Sequence, residues 1–583
     1  MNDIDVAENI LFAPIGTATS PFTGTFDGRN RTISNITFSD ATMDCVGFFG
    51  YTEDASISNL VLKNIDLEGN RIVGGLIGSA NNTSINYCSV INTDSHRIFG
   101  DELVGGFVGA LESSSSISNS YATSNVEGND LVSGFVSYLY DSSTISNSYA
   151  TGNVEGNYGV GGFVSYMYDS VTISNSYATG NVKGNDLVGG FVGLMDEFSS
   201  ISDSYATGNA EGTDAVGGFV GIMMVDSSIS NSHATGNAEG NDYVGGFVGA
   251  MEESSISNSH ATGNAEGNDY VGGFAGEIYD SDISNSHAIG NADGNDYVGG
   301  FVGQVVLNSD ISNSYAMGDV NGSMTVGGFV GIVDDSSISN SYATGDAEGV
   351  DDHVGGFAGY MFGSDISDSY STGDAKGDNE VGGFVGTMWS SSISKSYATG
   401  EAEATGVDVG GFIGLLGSSS TIDDSFYVGE PDSGDMLKGD FIDPSEVKDY
   451  VSDNWNVPSG PNSNHIWYIP DGQDYPEFYW SYQPPTSQSN SGGGTGSATI
   501  VNNNAPQSNA IPNNVTQDNT PQNNATPNNV TQNNTPQNNA TPNNPSNDSA
   551  EQGSNSLIWW ALGAVLLIAI VGGLAYVFYF KKK

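Results

Sequence analysis

The phrase Val-Gly-Gly-Phe-Val-Gly stands at Val104 to Gly109 and returns, with small changes, about every 28 residues through most of the chain. Its Phe position falls at Phe48, Leu76, Phe107, Phe135, Phe163, Phe191, Phe219, Phe247, Phe274, Phe301, Phe329, Phe357, Phe384 and Phe412, with gaps of 27 or 28 residues and one of 31. A period this regular belongs to a solenoid, in which each repeat is one coil that buries its apolar face only when neighbours stack on it.

Each repeat has a second constant half, clearest at Ile145-Ser-Asn-Ser-Tyr-Ala-Thr-Gly152, followed by a variable acidic stretch such as Asn264 to Tyr270. Apolar residues come in short groups bounded by Gly, Asn, Asp and Ser, never at helical spacing over a whole coil, which is strand-and-turn chemistry. The expected fold is all-β: a parallel β-helix of about 14 coils, with three short strands per coil. Val298 and Phe301 are three residues apart and cannot both face inward from one straight strand, so a bend is expected at Gly299-Gly300. Stacking would then place the Phe residues in one column at the strand spacing, about 4.8 Å.

These residues resemble a known family. Gly-[Phe/Leu]-x-Gly at this period, with the Ile-Ser-Asn-Ser-Tyr-Ala-Thr-Gly phrase between, looks like the GLUG-motif repeat of adhesin-like bacterial and archaeal surface proteins. The resemblance covers roughly residues 1 to 430. It implies a β-helix at a cell surface and implies no reaction. Departures are few: Ser137 and Ser165 replace the last Gly, Ser133 the first, and Leu76 one Phe. None should break a coil. The opening phrase, Met1-Asn-Asp-Ile-Asp, resembles the interior of such domains, so residues 1–45 are expected to be the start of a β-helix with a signal peptide upstream.

Repeats fill residues 46–427, and 428–483 reads as an aromatic-rich capping region. There Asp443 and Pro444 predict a helix N-cap and first position. Trp455, Trp467 and Trp480 would cover the open strand edges of the last coil or, alternatively, offer a carbohydrate-stacking patch. Residues 484–556 are rich in Asn, Thr and Pro and predict a disordered stalk. It carries N-glycosylation acceptors at Asn514, Asn524, Asn529, Asn533, Asn539 and Asn547. Residues 557–580 are an uncharged apolar run long enough for a transmembrane helix, and Lys581 to Lys583 form the expected cytoplasmic tail. This places the bulk of the chain outside the cell, anchored in the cell membrane by a single pass.

Thirteen basic residues face 69 acidic ones. Nucleic acid needs a basic footprint and is excluded as a partner. The acidity fits a carboxylate surface that stays soluble in high salt, as in a halophilic or marine source. It also fits calcium at turns such as Gly267-Asn-Asp269 and Gly294-Asn-Asp296. Cys45 occupies the place of Val104 and reads as a small buried hydrophobe, whereas Cys88 sits where later coils have Ser120 or Ser148, so no disulfide is expected. His233, His260 and His287 replace Tyr in three successive coils and should stack, with packing favoured over a metal role.

No catalytic constellation breaks the repeat. Arg29, Arg31, Arg71 and Arg97 are the only arginines, all near the amino end. The sequence thus points to a non-enzymatic, adhesin-like or envelope structural protein without cofactor, meeting extracellular polysaccharide or surface proteins. The alternatives are a polysaccharide-processing lyase or hydrolase built on the β-helix, and the stem of a larger surface protein.

Overall fold

Each coil closes on three faces, shown by the coil at residues 186–211. Its strands are Asp186–Gly189, Val192–Met195, Ser200–Ser202, Tyr205–Ala206 and Ala210–Glu211. Each pairs in parallel with its counterpart one coil on. In this computed structural model the described residues are 3–6, 12–93, 95–428, 440–443, 446–455, 467–468 and 475–478. All lie in the first of two units, residues 1–487; the second is 488–583. The first and second strands of the coils build two 14-stranded sheets, and the remaining three segments build the third face.

The parallel β-helix is therefore as expected, but its coil has five strand segments rather than three. The extra breaks come from the Ser-Asn-Ser phrase. Asn231 takes φ 50°, a left-handed turn that asparagine tolerates. Ser232 then locks the corner: its Oγ donates to the Ser230 carbonyl at 2.9 Å and accepts from the Ser204 N–H of the preceding coil at 3.3 Å. Repeated along the rod, this buried serine column satisfies backbone groups that the bend removes from the ladder.

The apolar core runs unbroken through the coils. Val298 and Phe301 are both fully buried; the first strand runs through Gly299 and the next begins at Val302, so the corner is Gly300-Phe301, one residue later than expected. A Cβ on Gly300 would come within 2.1 Å of the Gly328 carbonyl oxygen, so no larger residue fits. Phe rings of adjacent coils stack with centroids 4.7 to 4.9 Å apart from Phe107 to Phe412.

Two expectations need correction. Cys45 does not take the Val104 position. Val46 does, through Val73, because the first corner holds only Gly47 between Val46 and Phe48. Cys45 moves to the half-exposed position, and Cys88 is buried where later coils have Ser120, as expected. The C-terminal helix spans Val447–Asn454 with Glu446 as N-cap, not Asp443, whose carbonyl instead accepts from the Glu446 N–H at 2.8 Å. Pro444 lies outside the described residues.

Beyond the last coil, Asp440–Phe441 adds in parallel to Phe426–Tyr427. The following aromatics fold sideways along the rod rather than over its end. Phe478 meets Tyr342 and Tyr370, Trp467 meets Tyr370 and Tyr397, and Trp455 meets Tyr397 and Phe426. Two indole N–H groups fix them, Trp455 to the Asp424 carbonyl at 2.7 Å and Trp467 to Asp368 Oδ1 at 2.9 Å. Trp480, the stalk, the apolar run 557–580 and the six acceptor asparagines Asn514 to Asn547 lie outside the described residues. Among the described residues no helix is long and apolar enough to cross a membrane.

Candidate functional site

Most of the surface repeats from coil to coil, and there many polar groups bond to the scaffold, although Asp214 Oδ1, Ser227 Oγ and Ser254 Oγ are buried without a hydrogen-bond partner. The side-chain oxygen of Asn181 accepts from the Asn209 N–H at 3.0 Å, and Asn209 does the same for Asn237. Asn268 accepts an amide hydrogen bond from Asn295 in the very turns that offered oxygens for calcium. Beside them Asp186, Asp214, Asp242, Asp269 and Asp296 align in one column. Burial, with Asp186 and Asp242 on either side, pushes the Asp214 carboxyl up to about 6. Among the described residues no three His, Cys, Asp or Glu side chains are placed to hold a metal ion.

The aromatic ladder beside the serine column is also regular. Tyr205, His233, His260, His287 and Tyr315 stack with centroids 4.5 to 5.0 Å apart and planes within 9° of parallel. The three histidines thus do stack as a ladder. Burial, and for the later two the neighbouring imidazole, depress their basicity, to about 4 for His260 and His287. They are neutral at physiological pH, as a packing role requires. Each ring's faces are taken by the rings above and below, so only edges and hydroxyls meet solvent. A sugar ring has no aromatic face to lie on there. Two of the four arginines are similarly engaged: Arg71 pairs with Glu102 and Arg97 with Glu127, each at 2.7 Å.

One face departs from uniformity: the outer side of the second sheet and the corner before it. Three positions in each coil point out of the core here, four residues before the repeat's Phe, three after it and five after it. The first holds Leu187, Ala215, Tyr243, Tyr270, Thr325, His353 and Glu380 in successive or nearby coils, every one at positive φ between 54° and 64°. Non-glycine residues pay about 1 kcal/mol or more for that conformation, and Gly159 shows that the position accepts glycine. On or just beyond the third position stand exposed apolar side chains: Phe198, Tyr279, Leu307, Phe362 and Trp389, with relative exposures of 59, 38, 41, 43 and 37%.

Three coil-specific groupings occupy this face. In the first, Tyr138, Tyr140, Tyr166 and Tyr168 form a panel over two coils, with centroids 5.6 to 5.8 Å apart. Ser137 and Ser165, which replace the repeat's glycine in these two coils only, donate to the Leu131 and Gly159 carbonyls at 2.5 Å. In the second, Glu277 aligns with Gln304, whose Oε1 is buried without a hydrogen-bond partner. Burial and Glu252 push the Glu277 carboxyl up to about 7.

The third grouping joins two coils. Thr387 donates to Glu380 Oε2 at 2.5 Å and lies 3.0 Å from His353 Nδ1, which also contacts Glu380. The Tyr360 ring meets the imidazole edge-on at 5.4 Å. Sequence reading found no such constellation, because His353 and Glu380 are one period apart and each looks like a single substitution in a repeat. The signal was the joint polarity of two otherwise variable positions in adjacent coils.

A parallel β-helix with this coil is what the geometry defines, and its repeat is a recognised one. The GLUG motif model matches residues 100–127, 240–266, 294–321 and 322–348, so these coils are GLUG repeats. Over 118 residues, 20% of this chain, the sequence is 35% identical to halomucin of Haloquadratum walsbyi, of which it spans 1%. The solved structure of a candidate immunoglobulin A1 protease from Bacteroides ovatus aligns with 67% of this chain and 94% of its own at 14% identity. Its TM-score of 0.17 is too low to support any argument.

Proposed function

We propose that this is a non-enzymatic, adhesin-like cell-surface protein that meets its partners through the variable face of the rod. The observation that carries the reading is the contrast between faces. Where columns repeat, many of their hydrogen-bonding groups serve the next coil. On the variable face, side chains that change along the rod, from Leu187 and Ala215 through the stacked Tyr243, Tyr270 and Tyr297 to Thr325, His353 and Glu380, are held in a costly backbone conformation, which suits contact rather than scaffolding. The GLUG repeats and the halomucin-like stretch support a surface location. The C-terminal aromatics serve as a lateral cover on the Tyr342 to Phe426 ladder, residues 484–556 as a stalk open to glycosylation at Asn514 to Asn547, and residues 557–580 as the membrane anchor. Extracellular polysaccharide and surface proteins are the partner classes, without a cofactor.

The grouping of His353, Glu380 and Thr387 favours one second reading, a polysaccharide-processing enzyme. An imidazole held by a carboxylate is suited to moving a proton. Incubating the purified chain with a panel of polysaccharides, with and without calcium, separates the two readings. Retention without chain cleavage supports the adhesin. Cleavage that disappears in His353→Ala supports the enzyme and defeats the proposal.

A further inference from the structure

The tyrosine panel differs from the ladders in what surrounds it. Its rings are spaced more loosely than the ladder rings, and their orientations are mixed: Tyr138 and Tyr166 are inclined by 59°, and Tyr140 and Tyr168 by 13°. The Tyr168 hydroxyl donates to Glu197 at 2.8 Å and the Tyr166 hydroxyl to Asp196 at 3.4 Å, which fixes two carboxylates at the panel's edge. Besides burial, the charged groups acting most strongly on the four phenols are carboxylates: Glu112, Asp141, Asp169, Asp196 and Glu197. No lysine or arginine occurs between Arg97 and Lys183, or between Lys183 and Lys376. Lys183 itself is paired with Glu211 at 2.5 Å.

We propose that this panel binds the cationic side chains of a basic peptide segment, arginine above all. Aromatic rings attract cations through their quadrupole. Glu197, at the panel's edge, adds an acceptor for a guanidinium, whereas Asp196 is buried and contributes its charge alone. A neutral glycan would gain stacking but nothing from the field, so charge complementarity selects the peptide. Tyr166 is only 5% exposed and anchors the panel, while the half-exposed Tyr140 and Tyr168 carry the contact. The inference rests on the variable face being the contact face, and names the partner chemistry at one part of it.

The test is fluorescence anisotropy of labelled hexa-arginine with the full chain at physiological salt. The double variant Tyr140→Leu/Tyr168→Leu leaves every charge in place and should bind about tenfold more weakly. Tyr140→Phe/Tyr168→Phe keeps the rings and should bind within about twofold of the parent. Tyr149→Leu/Tyr177→Leu, on the ladder, should change nothing. Equal binding by the Tyr140→Leu/Tyr168→Leu chain would overturn the proposal, reducing the interaction to the general acidity of the rod. Displacement of the peptide by a neutral glucan oligosaccharide would overturn it in favour of a sugar site. Should the leucine pair fail to fold, Glu197→Gln replaces it: roughly threefold weaker binding is expected, and unchanged binding contradicts the proposal. If the chain is retained on polysaccharide while hexa-arginine ignores the panel, only the panel assignment falls.

Discussion

At the scale of single residues, the structure explains why serine is repeated at a buried corner in coil after coil. Ser204 Oγ accepts from the Ser176 N–H at 3.2 Å and donates to the Ser202 carbonyl at 2.8 Å. Ser204→Ala leaves the buried Ser176 N–H unpaired, so it should cost about 1–3 kcal/mol by denaturant unfolding. The histidine ladder gives a pH prediction. Its folded-state basicity lies below the usual value of 6.5, to about 4 for His260 and His287. Unfolded imidazoles therefore take up protons first. Their stabilisation is complete above pH ~6.5 and falls away as the pH drops toward ~4. Asp214 and Glu277, whose carboxyls are raised by burial to about 6 and about 7, act in the opposite sense: they favour the fold at low pH and lose that effect as pH rises. Converting His233, His260 and His287 to Tyr together isolates the ladder. The thermal midpoint should rise at pH 5 relative to the parent and stay nearly unchanged at pH 8.

At the scale of the element, the repeat made the coil legible and hid what is particular to single coils. Phe, Val and the glycine corner could be read because every coil uses them alike, and the buried Phe column follows from their period. Two failures have local causes. Cys45 was displaced because its corner has one glycine where others have two. The helix started at Val447 because Glu446, rather than Asp443, takes the cap position, and the capping carboxylate signal was not used. The variable face was not legible. The period places residue 353 beside residue 380, but without the outward-facing positions of the coil it does not bring residue 387 to them, and propensity argues against Tyr243 or Tyr270 at positive φ. The sideways path of the C-terminal aromatics was equally hidden, since an end cap and a lateral cover need the same residues. Their placement makes a prediction. Trp467→Ala removes a side chain that is 3% exposed and bonded to Asp368. It should cost about 3–5 kcal/mol locally. Because solenoid coils contact mainly their neighbours, hydrogen exchange should quicken around Tyr342 to Phe426 and stay unchanged around Tyr121 to Tyr205. Uniform acceleration along the rod would contradict that locality.

At the scale of the whole molecule, the rod is an acidic scaffold with one irregular side. A formal net charge of −56 and five aligned aspartates set like charges at coil spacing. Screening should relieve this, since the Debye length falls from about 14 Å at 0.05 M salt to about 3 Å at 1 M. The thermal midpoint should accordingly rise by several degrees over that range, and a flat or falling midpoint would show that the columns are already compensated. The central claim is that contact belongs to the irregular side and support to the uniform ones. Its most direct measurement compares two multiple variants of the full chain for retention on whichever polysaccharide or cell surface holds the parent. One converts Phe198, Tyr279, Phe362 and Trp389 to Ser; the other converts Glu211, Glu239 and Glu266, aligned in successive coils on the third face, to Gln. The account predicts that the first loses retention by about tenfold or more while the second keeps it. Loss in the glutamine variant with retention intact in the serine variant would contradict it.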